Sequence, residues 1–190
     1  MKEALQAVLQ AVEWSAEKMC EDSEIDVPEE VLRLNSSNAQ ERRDAANQLE
    51  GAVAPQGNLY EAAFDVIPVL TFLLRQPTFV GREVVYDLLT PMFLGTPARN
   101  ASVRLETGDV VPLAQGCQTR IAEGWTIYLA DACNRALSSR CRKKAVLQLG
   151  EIEQWSPTIA AELGRLVSDE PDTGVKDVVK EVLQSRKAGA

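Results

Sequence analysis

Four stretches of the chain share one pattern: Arg43-Asp44-Ala45-Ala46-Asn47-Gln48-Leu49, Arg82-Glu83-Val84-Val85-Tyr86-Asp87-Leu88, Lys143-Lys144-Ala145-Val146-Leu147-Gln148-Leu149 and Lys176-Asp177-Val178-Val179-Lys180-Glu181-Val182. Each runs base, charged, small apolar, small apolar, any, polar, aliphatic. On a helix the paired small residues and the aliphatic three positions on share one face, where small side chains let a neighbouring helix approach closely. The leading base is expected to stay in water with its stem over the core. The stretches begin at 43, 82, 143 and 176, hence 39, 61 and 33 residues apart. The first and last spacings suit a two-helix repeat, and the middle one hides an added segment.

Working outward, apolar residues recur at helical spacing almost everywhere, beginning with Leu5, Val8, Leu9, Val12, Ala16 and Met19 as one stripe on an amphipathic first helix. No run alternates as a strand would. Glu21 to Glu30 holds six acids and no base, has Pro28 at its end, and reads as a solvated connection into a short helical turn around 31–34. Ser37 with Gln40 resembles a capping box. Asp65-Val66-Ile67-Pro68-Val69-Leu70 is echoed by Asp109-Val110-Val111-Pro112-Leu113-Ala114, each placing a proline near a helix start or kink. Ser156-Pro157 gives a further start, with Ser as N-cap. The expected architecture is all-α, a HEAT- or armadillo-like solenoid of antiparallel helix pairs in a single domain, 1–190. Residues 1–35 form an N-terminal helix and acidic connection. Residues 36–187 form about four pairs, 38–53 with 59–75, 80–94 with 110–123, 124–136 with 139–153 and 157–168 with 174–186, with an inserted loop near 97–109.

Composition sets limits on function. The 190 residues are 45% hydrophobic and carry a formal charge of −8, which disfavours non-specific attraction to nucleic acid or anionic lipid and makes a basic partner the natural complement. The chain has no histidine, and with it go the usual Ser-His and Cys-His nucleophiles. Cys20, Cys117, Cys133 and Cys141 lack zinc-ligand spacing and are expected to be buried thiols, with no metal and no cofactor. No phosphate-binding glycine loop occurs. Glu83 and Asp87, four apart, could do acid–base work but read as a solvated helix face. The basic cluster Arg140, Arg142, Lys143 and Lys144 opens a repeat helix and does not make a nucleic-acid surface. With neither a leader pattern nor a run of about 20 apolar residues, the chain is expected to remain in the cytoplasm.

The run Leu59 to Leu74, then Gly81 to Leu89, then Cys117 to Leu129 resembles bacterial HEAT-repeat proteins, some of which are immunity proteins that neutralise polymorphic toxins by direct binding. The resemblance covers about 36–153. It implies a protein-binding module rather than an enzyme: an immunity protein occluding a cognate basic toxin. The alternatives are a general adaptor or scaffold, or an enzyme on a HEAT-like fold such as a DNA glycosylase, against which the acidic charge argues, or a pigment lyase.

Aromatic residues near helix starts, and charges beside them, are the side chains from which an interface is built. The expected partner-binding set is Tyr60, Glu61, Glu123, Trp125 and Tyr128, with Arg99 and Arg104 from the inserted loop. Trp14 and Trp155 are expected in the core. The acidic run 21–30 is open to two readings, a nucleic-acid mimic that blocks a basic cleft or a solvated loop.

Overall fold

Ten α-helices are present among the described residues of this computed structural model, which describes 2–21, 23–152 and 157–187. The chain divides into two compact units, 1–121 and 122–190.

In the first unit, α1 (Lys2–Gln10) buries Leu5 and Leu9 against α4 (Glu61–Arg75). The first helix is shorter than its apolar stripe predicts. Trp14 Nε1 donates to the Leu9 carbonyl at 2.9 Å, satisfying an acceptor at the helix end, and a separate 3-10 turn, Ala16–Lys18, follows with Ser15 as its cap. Trp14 is therefore half-buried, not a core residue. The next helix, α2 (Val27–Arg33), starts earlier than expected because Asp26 caps it, accepting from the Glu29 N–H at 3.0 Å, with Pro28 in its first turn. Glu30 is not solvated; it is buried and pairs with Arg33 at 2.7 Å.

The cap of α3 (Ala39–Val53) is Asn38 and not Ser37, since the Asn38 side chain accepts from the Gln40 N–H at 2.8 Å. Along α3 the repeated pattern buries Ala45, Ala46 and Leu49 and leaves Arg43 exposed. In α5 (Arg82–Leu94) it buries Val85 and Leu88 but also the leading base: Arg82 donates to the carbonyls of Leu74 and Gln76, both at 2.8 Å. Those oxygens sit at the end of α4, where four carbonyls lack helical partners and a cation is favoured. Arg82 thus fastens the end of one helix to the start of the next. The helices α3, α4 and α5 pack on one another around Leu49, Val66, Ile67, Leu70 and Leu89, each such burial contributing about 1.5–3 kcal/mol.

The described residues are mostly helical, as the all-α expectation has it, and the little strand present lies in and near the inserted segment. Ser102–Arg104 (β3) and Val110–Pro112 (β4) form an antiparallel hairpin, in addition to the short parallel pair Asn58–Leu59 (β1) and Thr96–Pro97 (β2). The hairpin turn closes with Gly108 at φ +91°, a conformation that favours glycine. Residues 110–112 are therefore strand, and the following helix, α6, spans Leu113–Glu123. The two proline echoes fold differently: Pro112 lies at the strand-to-helix junction, while Pro68 stands inside α4. Gly116 of α6 seats the hairpin, since a Cβ there would come within 2.3 Å of Val103 Cγ2 and 3.2 Å of the Phe64 ring. Of the expected pair 80–94 with 110–123, α5 packs on α3 and α4, and α6 meets it where Gln118 Nε2 donates to the Phe93 carbonyl at 3.2 Å.

In the second unit, α7 (Trp125–Cys133) and α10 (Thr173–Lys187) pack on α8 (Ser139–Ile152), and α9 (Pro157–Asp169) packs on α10 and α7. The pattern holds: Ala145, Val146 and Leu149 of α8, and Val179 and Val182 of α10, are buried. Arg142 is buried too, donating to the Ala132 carbonyl at 3.0 Å and to the Glu170 carboxylate. It plays for α7 the part Arg82 plays for α4, and so does not belong to an exposed basic cluster. Of the cysteines, Cys117 and Cys141 are buried, Cys20 is half-buried and Cys133 is exposed. Trp155 and the Ser156 cap lie outside the described residues. No helix among the described residues is long and apolar enough to cross a membrane.

Candidate functional site

The start of α4 gathers part of the expected set. Tyr60 caps α4 through its extended backbone, and Glu61 occupies the first turn, where the helix dipole favours an anion. Arg99, just after β2, donates through Nε and Nη2 to the Glu61 carboxylate at 2.9–3.2 Å and through Nη2 to the Glu17 carbonyl. Its guanidinium lies 5.9 Å from the centre of the Tyr60 ring, within cation–π range. Glu61 holds the charge on Arg99 above its already high pKa, with the hydrogen bond as the main cause. The Tyr60 phenol is raised above its usual value, first by its hydrogen bond with Cys20 and then by burial.

A groove of about 310 Å³ opens beside this cluster, lined by Lys18, Glu61, Phe64, Asp65, Ser102, Val103 and Arg104. Lys18 Nζ donates to Asp65 Oδ2 at 3.0 Å and to the Glu13 carbonyl at 3.4 Å. Two cations from different parts of the chain, Lys18 and Arg99, thus hold the segment 13–18 along the groove. Arg104 Nη1 donates to the Gly108 carbonyl at 2.7 Å, bracing the hairpin turn.

The other expected residues lie elsewhere. Glu123 is exposed at the end of α6, and Trp125 is half-buried at the first position of α7. Tyr128 is fully buried among the core residues of α7 and cannot meet a partner; its aromatic area serves packing. Glu83 is half-exposed and Asp87 exposed on α5.

Charge is distributed unevenly. Residues 1–121 carry 18 acidic and 10 basic residues, whereas 122–190 carry ten of each, so the formal charge of −8 resides in the first unit. Within it, residues 1–30 hold nine acids against two bases. Glu3, Glu13, Glu17, Glu21, Glu24, Asp26 and Glu29 are exposed. This concentration is visible in sequence by counting over 1–30, a window wider than the acidic run alone. Lys18, Phe64, Asp65, Ser102 and Val103 carry no sequence signal, because they converge only once the hairpin folds onto α4 and α6.

For chemistry the arrangement offers little. The groove's charged side chains are engaged, Lys18 with Asp65, Glu61 with Arg99 and Arg104 with the Gly108 carbonyl, and burial pushes the Cys117 thiol up to about 12, leaving it protonated and inert. No group of three or more Cys, Asp or Glu among the described residues could hold a metal ion. Compared with protein-family models, curated proteins and solved structures, the chain finds no match.

Proposed function

We propose that this chain binds another protein and neutralises it: an immunity protein, built of HEAT- or armadillo-like helix pairs, that covers a basic toxin domain. The observation that carries the basic-partner reading is the unequal charge, with −8 in residues 1–121 and exposed carboxylates along the segment that borders the groove. A field of one sign on one face speeds encounter with the opposite sign and disfavours partners of like charge. The toxin half of the reading comes from the resemblance of 59–74, 81–89 and 117–129 to bacterial HEAT-repeat proteins. Tyr60 and Arg99 supply the aromatic and guanidinium groups that are enriched where binding energy concentrates.

Affinity purification of the tagged chain from its native cell, followed by mass spectrometry, tests this reading. The expected result is a basic protein whose expression alone arrests growth and whose co-expression with this chain restores it. A co-purifying protein without toxicity would make the chain an adaptor instead.

A further inference from the structure

The hairpin beside the groove has one edge whose main-chain groups face away from its partner strand. Leu113 N donates to the Ala101 carbonyl at 3.0 Å, and Leu105 N to the Asp109 carbonyl at 2.9 Å. With Val103 opposite Val111, these fix the hydrogen-bonded pairs at 101/113, 103/111 and 105/109. In an antiparallel pair the residues between turn their N–H and C=O groups outward, so the main chains of Ser102 and Arg104 face away from β4. They have no main-chain partner among the described residues. Both residues line the groove. The outer edge of β4 is blunted, because Pro112 has no N–H to offer.

We propose that the β3 edge receives an extended, basic segment of a partner protein, which adds as a third strand along the groove. Main-chain bonds to Ser102 and Arg104, roughly 7 Å apart as alternate strand residues are, would hold it. Phe64 and Val103 give the groove its apolar lining, Glu13 and Glu17 stand exposed on the segment that Lys18 and Arg99 hold beside it, and Glu21 stands exposed just after that segment. Lysine or arginine at alternate positions of the incoming strand meets that charge. Arg104, turned into the Gly108 carbonyl, leaves the edge accessible. This rests on the basic-partner reading above and adds the mode of contact.

The test is selection from a displayed library of random dodecapeptides on the full chain, followed by titration of the selected peptides. Enrichment of proline-free sequences with basic residues at alternate positions is expected. N-methylation of alternate peptide nitrogens in one phase should weaken binding roughly tenfold, as loss of about two main-chain bonds implies, while the other phase has little effect. Amide hydrogen exchange at Ser102 and Arg104 should slow in the complex. Basic peptides that bind regardless of N-methylation, without protection at 102 and 104, would overturn strand addition and leave the basic-partner reading standing. Selection of no basic sequence would overturn this proposal, and co-purification from the native cell would then decide the broader reading by itself.

Discussion

Arg120 Nη1 donates to the main-chain carbonyl of Phe64 at 2.6 Å, with its guanidinium 3.3 Å from the centre of the Phe64 ring. In an uninterrupted helix that carbonyl would accept from residue 68, but residue 68 is proline and has no N–H. A side chain from α6 thus supplies the donor that α4 lacks. The proline within α4 and the attachment of α6 to it are one feature, and α6 in turn carries the hairpin through Gly116.

Replacing Arg120 with Met should therefore cost about 1–3 kcal/mol in urea unfolding, because it leaves a carbonyl unpaired and removes the cation from the ring. The same substitution in a Pro68→Ala background should cost less, since alanine at that position restores the helical N–H. Equal costs in both backgrounds would show that Pro68 and Arg120 are not coupled.

The buried pair of Arg142 and Glu170 makes another coupled site. Side chains this enclosed, at 5% and 1% exposure, cannot be hydrated when a partner is lost. Arg142→Met should destabilise by about 3–5 kcal/mol because it strands the Glu170 charge. Arg142→Met with Glu170→Gln should recover part of that loss. Chemical denaturation of the two variants checks this, and a double variant no better than the single one would refute it.

Asp172 at the start of α10 gives a pH dependence. Its carboxyl is held below the usual aspartate value, first by the Ser139 hydroxyl and then by the Val175 N–H, which it binds at 3.0 Å. A group whose folded-state pKa is depressed contributes stability above its unfolded pKa and loses it as pH falls through the folded one. Stability should therefore decline below the ordinary aspartate range, and Asp172→Asn should flatten that part of the curve. Thermal melts across acidic pH, compared between the two proteins, measure it.

The helices are legible in the sequence because their apolar residues keep a 3.6-residue period over two or more turns, and the boundaries expected at 38–53, 124–136 and 157–168 lie close to α3, α7 and α9. The hairpin is not legible. Ser102-Val103-Arg104 and Val110-Val111-Pro112 are too short to show alternation, and Val110-Val111-Pro112 also echoes the helical stretch Val66-Ile67-Pro68. Arg82 occupies a position that the repeat leaves to a solvated base and Arg142 stands one residue before another, Lys143; only the nearby helix ends, with unpaired carbonyls, draw the two arginines inward. In the candidate site, residue type and position single out Glu61 and Arg99, but their pairing across 38 residues depends on the path from β2 to the hairpin, which no periodicity encodes. Tyr128 falls in the core against expectation because aromatic type alone does not distinguish core from interface.

The most direct measurement of the central claim, an acidic face that meets a basic partner, is association kinetics by stopped flow with the co-purified partner at low and high ionic strength. The rate constant should fall steeply with salt, because charges on the surface are screened beyond a Debye length of about 8–10 Å near physiological ionic strength. A variant carrying Glu13→Gln, Glu17→Gln and Glu21→Gln should associate more slowly at low salt, with a flatter salt dependence and a nearly unchanged dissociation rate. Wild-type association that is indifferent to salt, and matched by the folded triple variant, would contradict the account.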